Sequence, residues 1–434
     1  MIEGRRRMIL GVIADDFTGA TDVASMLVRA GLRTVQVIGV PGAALPAEVA
    51  RADAVVVALK SRTCAAGEAV QQSLAALGWL QAAGARQFYF KVCSTFDSTP
   101  AGNIGPVAEA LMAALGTDLT IACPAFPENG RTVFRGHLFV GDQLLSESGM
   151  RQHPLTPMTD ANLVRVLQAQ CQGRVGLLRH DVVARGAGAI ADRLAQLRHD
   201  GVRLVIADAV DNDDLRRLAA GAAHLPLWVA GSGLALGLPA LLAEAGRVAL
   251  DAEAARLDAL TGPAAVLAGS CSVATQAQVA HWLQAGRPAL RIDPAALAAG
   301  EPVLARALAW AAAQASAPLI YATTDAATLA ATQAQLGTAA AGALVEQALA
   351  GIAAGLVAAG TQRLVVAGGE TSGAVVQALG VHTLRIGAAI CPGVPWTQAV
   401  QAGEHPAGQA PLQLALKSGN FGGSDFFSEA LGLA

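Results

Sequence analysis

The chain has 434 residues, 53% of them apolar and only 15% charged, with a formal net charge of −3; this allows a large core and predicts two domains, or one large domain with additions. The charge balance, with no basic run interleaved with aromatics, excludes a nucleic-acid surface. Six scattered cysteines without a CxxC pair and eight dispersed histidines exclude a disulfide scaffold and a zinc cluster, and point to reduced thiols in a cytoplasmic protein.

Mean hydropathy is positive. Gly, Pro, Asp or Arg break the apolar segments before spanning length, so no transmembrane helix is expected. Residues 1–7 contain Ile2-Glu3-Gly4-Arg5, which resembles a protease site, and no apolar signal core follows. The fold reading therefore starts at Met8.

Ala, Gly, Leu and Val dominate, which suits helices packed on a parallel sheet. Met8 to Ala14 reads as a buried strand and Asp22 to Ala30 as a helix. Strands are expected at Thr34–Ile38, Ala54–Leu59, Phe88–Val92 and Leu119–Ala122, with helices at Ala65–Ala83 and Gly105–Leu115. The rhythm breaks at Pro124–Ser148, where Gly130 to Leu145 reads as a β-hairpin insertion turning at Gly141-Asp142. Strand and helix signals then alternate again to Leu227–Ala230.

A polar stretch between Gly246 and Gly262 marks a boundary. Beyond it, strands are expected at Ala265–Ala268, Leu290–Ile292, Leu319–Ala322, Leu364–Ala367, Thr383–Ile386 and Leu412–Leu416, with Ala-rich helices between them, notably Ala340–Ala359. The expected fold is α/β, with two domains, each a mostly parallel sheet flanked by helices, and a hairpin in the first.

Chemistry gathers at the predicted strand ends, where open α/β sheets bind ligands. Asp15-Asp16-Phe17-Thr18-Gly19 follows the first strand; by itself this is a helix cap. Ser61-Arg62, Lys91, Asp97-Ser98 and Arg131 follow later strands. Each cation alone would be a solvated surface charge, but together they form a rim suited to a small polyhydroxylated anion.

In the second half, Gly269-Ser270-Cys271-Ser272, Gly368-Gly369-Glu370-Thr371 and Lys417-Ser418-Gly419-Asn420 offer backbone N–H groups with little side chain in the way. Three such turns suggest a phosphate-bearing nucleotide. No Gly-Lys pair occurs, so this is not a P-loop. Gly231-Ser232-Gly233 to Gly237, with Asp251 twenty positions after Gly231, imitates a dinucleotide fingerprint. It keeps an NAD-dependent sugar-acid dehydrogenase as one rival, although Pro239 interrupts the helix it would need. A non-catalytic sugar-acid binding protein is the other.

Ile13-Ala14-Asp15-Asp16-Phe17-Thr18-Gly19-Ala20, Asp97-Ser98-Thr99, Gly368-Gly369-Glu370-Thr371 and Lys417-Ser418-Gly419-Asn420-Phe421-Gly422 together resemble the signatures of the four-carbon acid sugar kinase family, in the family's order and over nearly the whole chain. The resemblance implies an acid-sugar-binding domain at 8–246, a linker at 247–263 and a nucleotide-binding domain at 264–434. It implies ATP-dependent phosphorylation of the terminal hydroxyl of a C4 sugar acid, with Ser270, Ser272, Gly368, Gly369, Glu370, Thr371 and Gly419 contacting ATP. Cys93 to Thr99 followed by Gly102-Asn103-Ile104-Gly105-Pro106 resembles the 3-oxo-tetronate kinase branch. The D-threonate and D-erythronate 4-kinases, the alternative, usually carry Asp-Ser-Thr-Leu-Arg-Gly where this chain has Asp97-Ser98-Thr99-Pro100-Ala101-Gly102.

Phosphoryl transfer needs a group to take the hydroxyl proton, and Asp16 or Asp15 is assigned to it. Arg62, Lys91 and Arg131 are assigned to the acid's carboxylate and carbonyl or to the moving phosphoryl. Ser61, Asp97 and Ser98 are assigned to the rest of the substrate. Mg²⁺ would bridge the ATP phosphates, with Glu370 as a candidate ligand. The partners expected are ATP and the sugar acid, without membrane or nucleic acid; homo-oligomerisation is left open.

Overall fold

The computed structural model describes residues 8–42, 47–153, 156–400 and 411–433; residues 1–7 lie outside them. The chain divides into two compact units that meet at Ala255 and Arg256.

In the first unit, strands β1 (Leu10–Ala14), β2 (Thr34–Ile38), β3 (Ala54–Ala58), β4 (Gln87–Lys91) and β5 (Thr120–Cys123) alternate with helices. β6 (Arg131–Phe134), β7 (His137–Val140) and β8 (Gln143–Leu144) form a small separate antiparallel sheet. β9 (Arg174–Leu178), β10 (Val202–Ala207) and β11 (Leu227–Ala230) complete the main sheet, whose order is β2-β3-β1-β4-β11-β5-β10-β9, all parallel. β1 and β3 are buried at every residue, as expected of strands covered by helices on both faces. The chain leaves β1 toward β3 and later returns to its other side as β4. The strand order therefore reverses between β1 and β4, where the register sets Ala14 beside Lys91.

The second unit repeats this logic. Its strands are β12 (Ala264–Ala268), β13 (Ala289–Arg291), β14 (Leu319–Tyr321), β15 (Arg363–Ala367), β16 (Thr383–Cys391), β17 (Val394–Val400) and β18 (Gln413–Lys417). They lie in the order β13-β14-β12-β15-β18-β17-β16. The first five in this order pair in parallel, and β16, β17 and β18 pair antiparallel. The reversal falls between β12 and β15, with Ala268 beside Ala367.

Three expectations are corrected. The first helix runs Phe17–Arg29, not from Asp22, because Asp16 caps it in extended backbone (φ −148°, ψ 162°). The insertion has three strands, and its first turn is Arg135-Gly136, both at positive φ; the expected Gly141-Asp142 turn is the second. The helix Ala340–Ala358 is long and apolar enough to cross a membrane by length and composition alone, but the glycines that interrupt it have a packing role. A Cβ at Gly351 or Gly355 would stand 2.8 Å from Leu304 or 2.5 Å from Leu308, so these glycines seat this helix closely on the helix Val303–Ala312. The β16–β17 hairpin was not expected past Ile386; it turns at Pro392-Gly393, with Gly393 at φ 84°.

The insertion is pinned by one carboxylate. Asp208 is fully buried after β10 and accepts N–H bonds from Arg135 (2.8 Å), Gly136 (2.8 Å) and His180 (2.9 Å). Burial raises its pKa, and the three amides and His180 oppose that rise. Asp208→Ala orphans three amides and should destabilise the first unit by about 3 kcal/mol, seen as a lower urea midpoint. Asp208→Asn, which keeps an acceptor oxygen, should lose less.

Candidate functional site

In the first unit, β1, β3 and β4 deliver their carboxyl ends to one edge. Asp15 and Asp16 follow β1, and backbone bonds from Ser61 N and Arg62 N to Asp15 O (3.0 and 3.1 Å) fold the segment after β3 against them. Arg62 Nε and Nη2 grip Asp15 Oδ2 and Oδ1 at 2.9 and 2.7 Å, and Nη2 also donates to Asp16 Oδ1 at 2.6 Å. Asp97 Oδ2 stands 3.9 Å from Arg62 Nη1.

The two neighbouring carboxylates differ in environment. Both oxygens of Asp15 are taken by Arg62, and its side chain is 6% exposed. Burial, with the Asp16 charge, raises its pKa despite Arg62 and Lys91. Asp16 is 25% exposed. It accepts Gly19 N (3.0 Å) and Thr18 Oγ1 (2.9 Å). Its pKa is lowered: burial would raise it, but Arg62, Lys91, Thr18 and Gly19 together outweigh that. Asp16 therefore stays ionised while still meeting solvent.

Lys91 is buried at the end of β4, and Nζ donates to Val92 O at 2.7 Å. A Cβ on Gly19 would stand 2.9 Å from that nitrogen and 2.2 Å from Asp16 Oδ1. Only a glycine lets the helix start approach both.

In the segment after β4, Phe96 takes a positive φ of 53° with its ring fully buried. The turn places Thr95 Oγ1 2.6 Å from Asp97 Oδ1 as donor. The Cys93 thiol, 3.0 Å from Thr95 Oγ1, is pushed up to about 12 by burial and the Asp97 charge, so it is protonated at neutral pH and is no nucleophile.

The remaining assigned residues fall less centrally. Ser61 contributes its backbone. Ser98 Oγ donates to Gln170 Oε1 (3.0 Å), which also accepts Gly105 N (3.1 Å), so it fastens a loop instead of joining the Arg62 cluster. Arg131 donates to Asn129 O, and its charge acts on Asp22.

Two residues of the site were missed. Asn103 is buried, and its Nδ2 donates to the carbonyls of Ser61 (2.6 Å), Cys64 (3.0 Å) and Arg62 (3.2 Å), which fixes the segment carrying Arg62. In the sequence it stands within the Gly102–Pro106 stretch that carries the family resemblance, just before the helix Ile104–Leu115, and nothing there marks this clamping role. Asp22, three residues past Gly19, is buried and accepts Ser232 Oγ at 2.5 Å.

The dinucleotide-like glycines serve packing. Ser232–Gly237 is a buried 3-10 turn. A Cβ at Gly231 would stand 2.6 Å from Pro124 O, and one at Gly233 2.5 Å from Ala125 O. The glycines let backbone pass backbone and leave no cradle for a pyrophosphate.

In the second unit, the ends of β12, β15 and β18 converge at the second reversal. A Cβ on Gly269 would stand 2.3 Å from Thr371 Oγ1, one on Gly368 3.2 Å from Ser270 N, and one on Gly419 2.5 Å from Ser270 Oγ. Gly368 sits at φ 131°. The three glycine turns thus assigned to ATP are in mutual contact. Ser272 caps the helix Val273–Gln284. Its hydroxyl donates to Gly419 O at 2.6 Å, as do Thr275 Oγ1 (3.0 Å) and Lys417 Nζ (2.8 Å).

Lys417 is completely buried, and desolvation lowers its pKa to about 7. Its other donors meet Thr275 Oγ1 (3.2 Å) and Ser418 O (2.9 Å). Gln278 Nε2 holds the carbonyls of Phe421, Gly422 and Gly423. The sequence reading passed over Lys417 and Gln278 as site residues, because neither type signals a buried clamp. Amides, hydroxyls and a helix start around contacting glycines fit a polyphosphate.

Glu370 is exposed in the first turn of the helix Gly369–Ala378. Among the described residues, no group of three or more His, Cys, Asp or Glu could hold a metal ion.

Residues 10–238 match the model of a sugar-binding N-terminal domain, and 265–427 that of a nucleotide-binding C-terminal domain. A 3-oxo-tetronate kinase of Cupriavidus necator is 65% identical, over 98% of this chain and 97% of its own. One of Pseudomonas fluorescens is 62% identical over 98% and 97%. Among solved structures, a Salmonella typhimurium LT2 protein matches with a TM-score of 0.85 at 46% identity, over 97% of this chain and 98% of its own. Haemophilus influenzae protein HI1011 matches with 0.77 at 44%, over 98% and 99%. Full-length likeness at this level, over both domain models, means that the chain belongs to the four-carbon acid sugar kinase family.

Proposed function

We infer that this protein is an ATP-dependent 3-oxo-tetronate kinase of the cytoplasm that phosphorylates the terminal 4-hydroxyl of its acid. The reading is carried by the Asp15–Asp16–Arg62 cluster at the reversal of the sugar-binding unit, in a chain 65% identical to a 3-oxo-tetronate kinase. The contacting glycine turns of the other unit supply the place for the nucleotide.

Asp16 is the group that takes the hydroxyl proton. It is the more exposed carboxylate, and the helix cap holds its orientation. Asp15 is the counter-charge that orients Arg62. Arg62 and Lys91 then meet the acid's carboxylate or the charge that builds on the transferred group. Asp97, held by Thr95, accepts a substrate hydroxyl. ATP supplies the phosphoryl group and Mg²⁺ offsets its charge. The residues present suit an ion carried in by the nucleotide and steadied by a single carboxylate such as Glu370, not a protein cage.

A coupled ADP-release assay across C4 sugar acids and their 3-oxo forms should give turnover with 3-oxo-tetronate, and the reading fails if only threonate or erythronate is turned over. Asp16→Asn should lower kcat by about 10²-fold or more, whereas near-normal turnover would remove it as the base. Asp15→Asn should also lose thermal stability, since it leaves Arg62 partly unpaired.

Gly19→Ala sets two effects against each other. Helix propensity would gain about 1 kcal/mol, but the added carbon would push into Asp16 and Lys91. Activity should fall at least about tenfold. Gly419→Ala should raise KM for ATP and leave KM for the acid little changed; equal effects on both would count against placing the nucleotide there.

A further inference from the structure

Asp22 is a buried carboxylate to which the reaction as described gives no task. It lies on the helix Phe17–Arg29, one turn beyond the capped start. It is 4% exposed; Oδ2 accepts Ser232 Oγ at 2.5 Å, and Oδ1 is buried with no hydrogen-bond partner. Ser232 follows β11, whose Ala230 is registered beside Lys91.

Lys91 is itself 3% exposed and gives one of its three N–H groups to Val92 O. A buried ammonium with donors to spare thus stands 2.9 Å from where a Cβ on Gly19 would lie, and a buried carboxylate with an oxygen to spare follows three residues later on the same helix; no direct hydrogen bond or ion pair joins the two. The Lys91 charge is the largest influence on Asp22 after burial itself. The other groups that act on Asp22 are Asp16 at the start of its own helix and Arg131 from β6. From β4, the Tyr89 phenol, which donates to Gly231 O, is also within electrostatic reach.

Resting on the kinase reading above, we propose that Asp22 is a positioning residue: fastened by Ser232, its carboxylate anchors the Lys91 ammonium beside Gly19, where that cation faces the Asp16 side of the cluster. The anchor is electrostatic, so it exists only while Asp22 is ionised. Burial brings Asp22 up to about 6, with Lys91 and Ser232 pulling the other way. Protonation as pH falls through that value releases Lys91 and lowers turnover. Removing the Ser232 hydroxyl removes one of the pulls, so the loss moves to higher pH.

The test combines activity and stability on the full chain. Wild type should show an acid limb of kcat near pH 6. Asp22→Asn should lower kcat by about tenfold, change KM for ATP by less than twofold and abolish the limb, while Ser232→Ala should shift the limb upward. A carboxylate that only packs the helix would lower melting temperature and leave the limb in place, and that result would overturn the proposal. Thermal unfolding of Asp22→Asn, Lys91→Met and the double variant needs no turnover. If the groups are coupled, the shifts should depart from additivity by about 2 °C or more; additive shifts would also overturn it. Coupled shifts in a wild type that phosphorylates no C4 acid would leave the anchor standing and reject the kinase reading.

Discussion

The first unit depends on one guanidinium. Asp15 and Asp16 are neighbours in the chain, and the end of β1 takes Asp15 out of bulk water and Asp16 most of the way. Two carboxylates that close repel, and each resists desolvation. Arg62 resolves this by a two-pronged grip on one and a single bond to the other. Arginine suits the task because its donors lie in a rigid plane and it cannot lose its charge. Both carboxylates reinforce that charge strongly enough to outweigh its own burial. Removing one member of such a buried group typically costs about 3–5 kcal/mol, because the others are left uncompensated. The segment bearing Arg62 must therefore be held as firmly as the strands, and Asn103 does this from a helix start some forty residues away.

Both units gather polar groups at a reversal of strand order, but of different kinds. The first gathers full charges: Asp15, Asp16, Arg62, Lys91 and Asp97. The second gathers hydroxyls, amides and glycines around one carbonyl, Gly419 O, that takes three donors. Side-chain charge is sparse there: Lys417 is spent entirely on protein oxygens. A surface of fixed backbone dipoles is preorganised and needs little side-chain reorientation.

The sequence made the strands and the strand-end chemistry legible because β1, β3 and β15 are apolar runs stopped by polar or glycine residues, the pattern of strands buried on both faces. Asp15, Asp16 and Arg62 could be named for the same reason. Residues whose role is decided by what folds beside them could not. Asn103 looks like a helix-start residue, Asp22 like a polar residue in an amphipathic helix, and Ser98 like part of a reactive motif until Gln170 is seen to take its hydroxyl. The glycines from Gly231 to Gly237 carry the opposite lesson. Spacing alone cannot separate a glycine that admits a ligand from one that admits a neighbouring backbone, and Pro124 and Ala125 supply that backbone here.

The bond between Ser232 and Asp22 joins residues 210 positions apart, and Arg62 reaches Asp15 across 47. Contacts of such span close large loops before they reward the chain. The grip of Arg62 on Asp15 and Asp16 needs only the neighbouring strands β1 and β3. The Ser232–Asp22 bond, by contrast, can close only when β11, the last strand of the unit, has docked beside β4, which makes it a marker of completed native topology in the first unit.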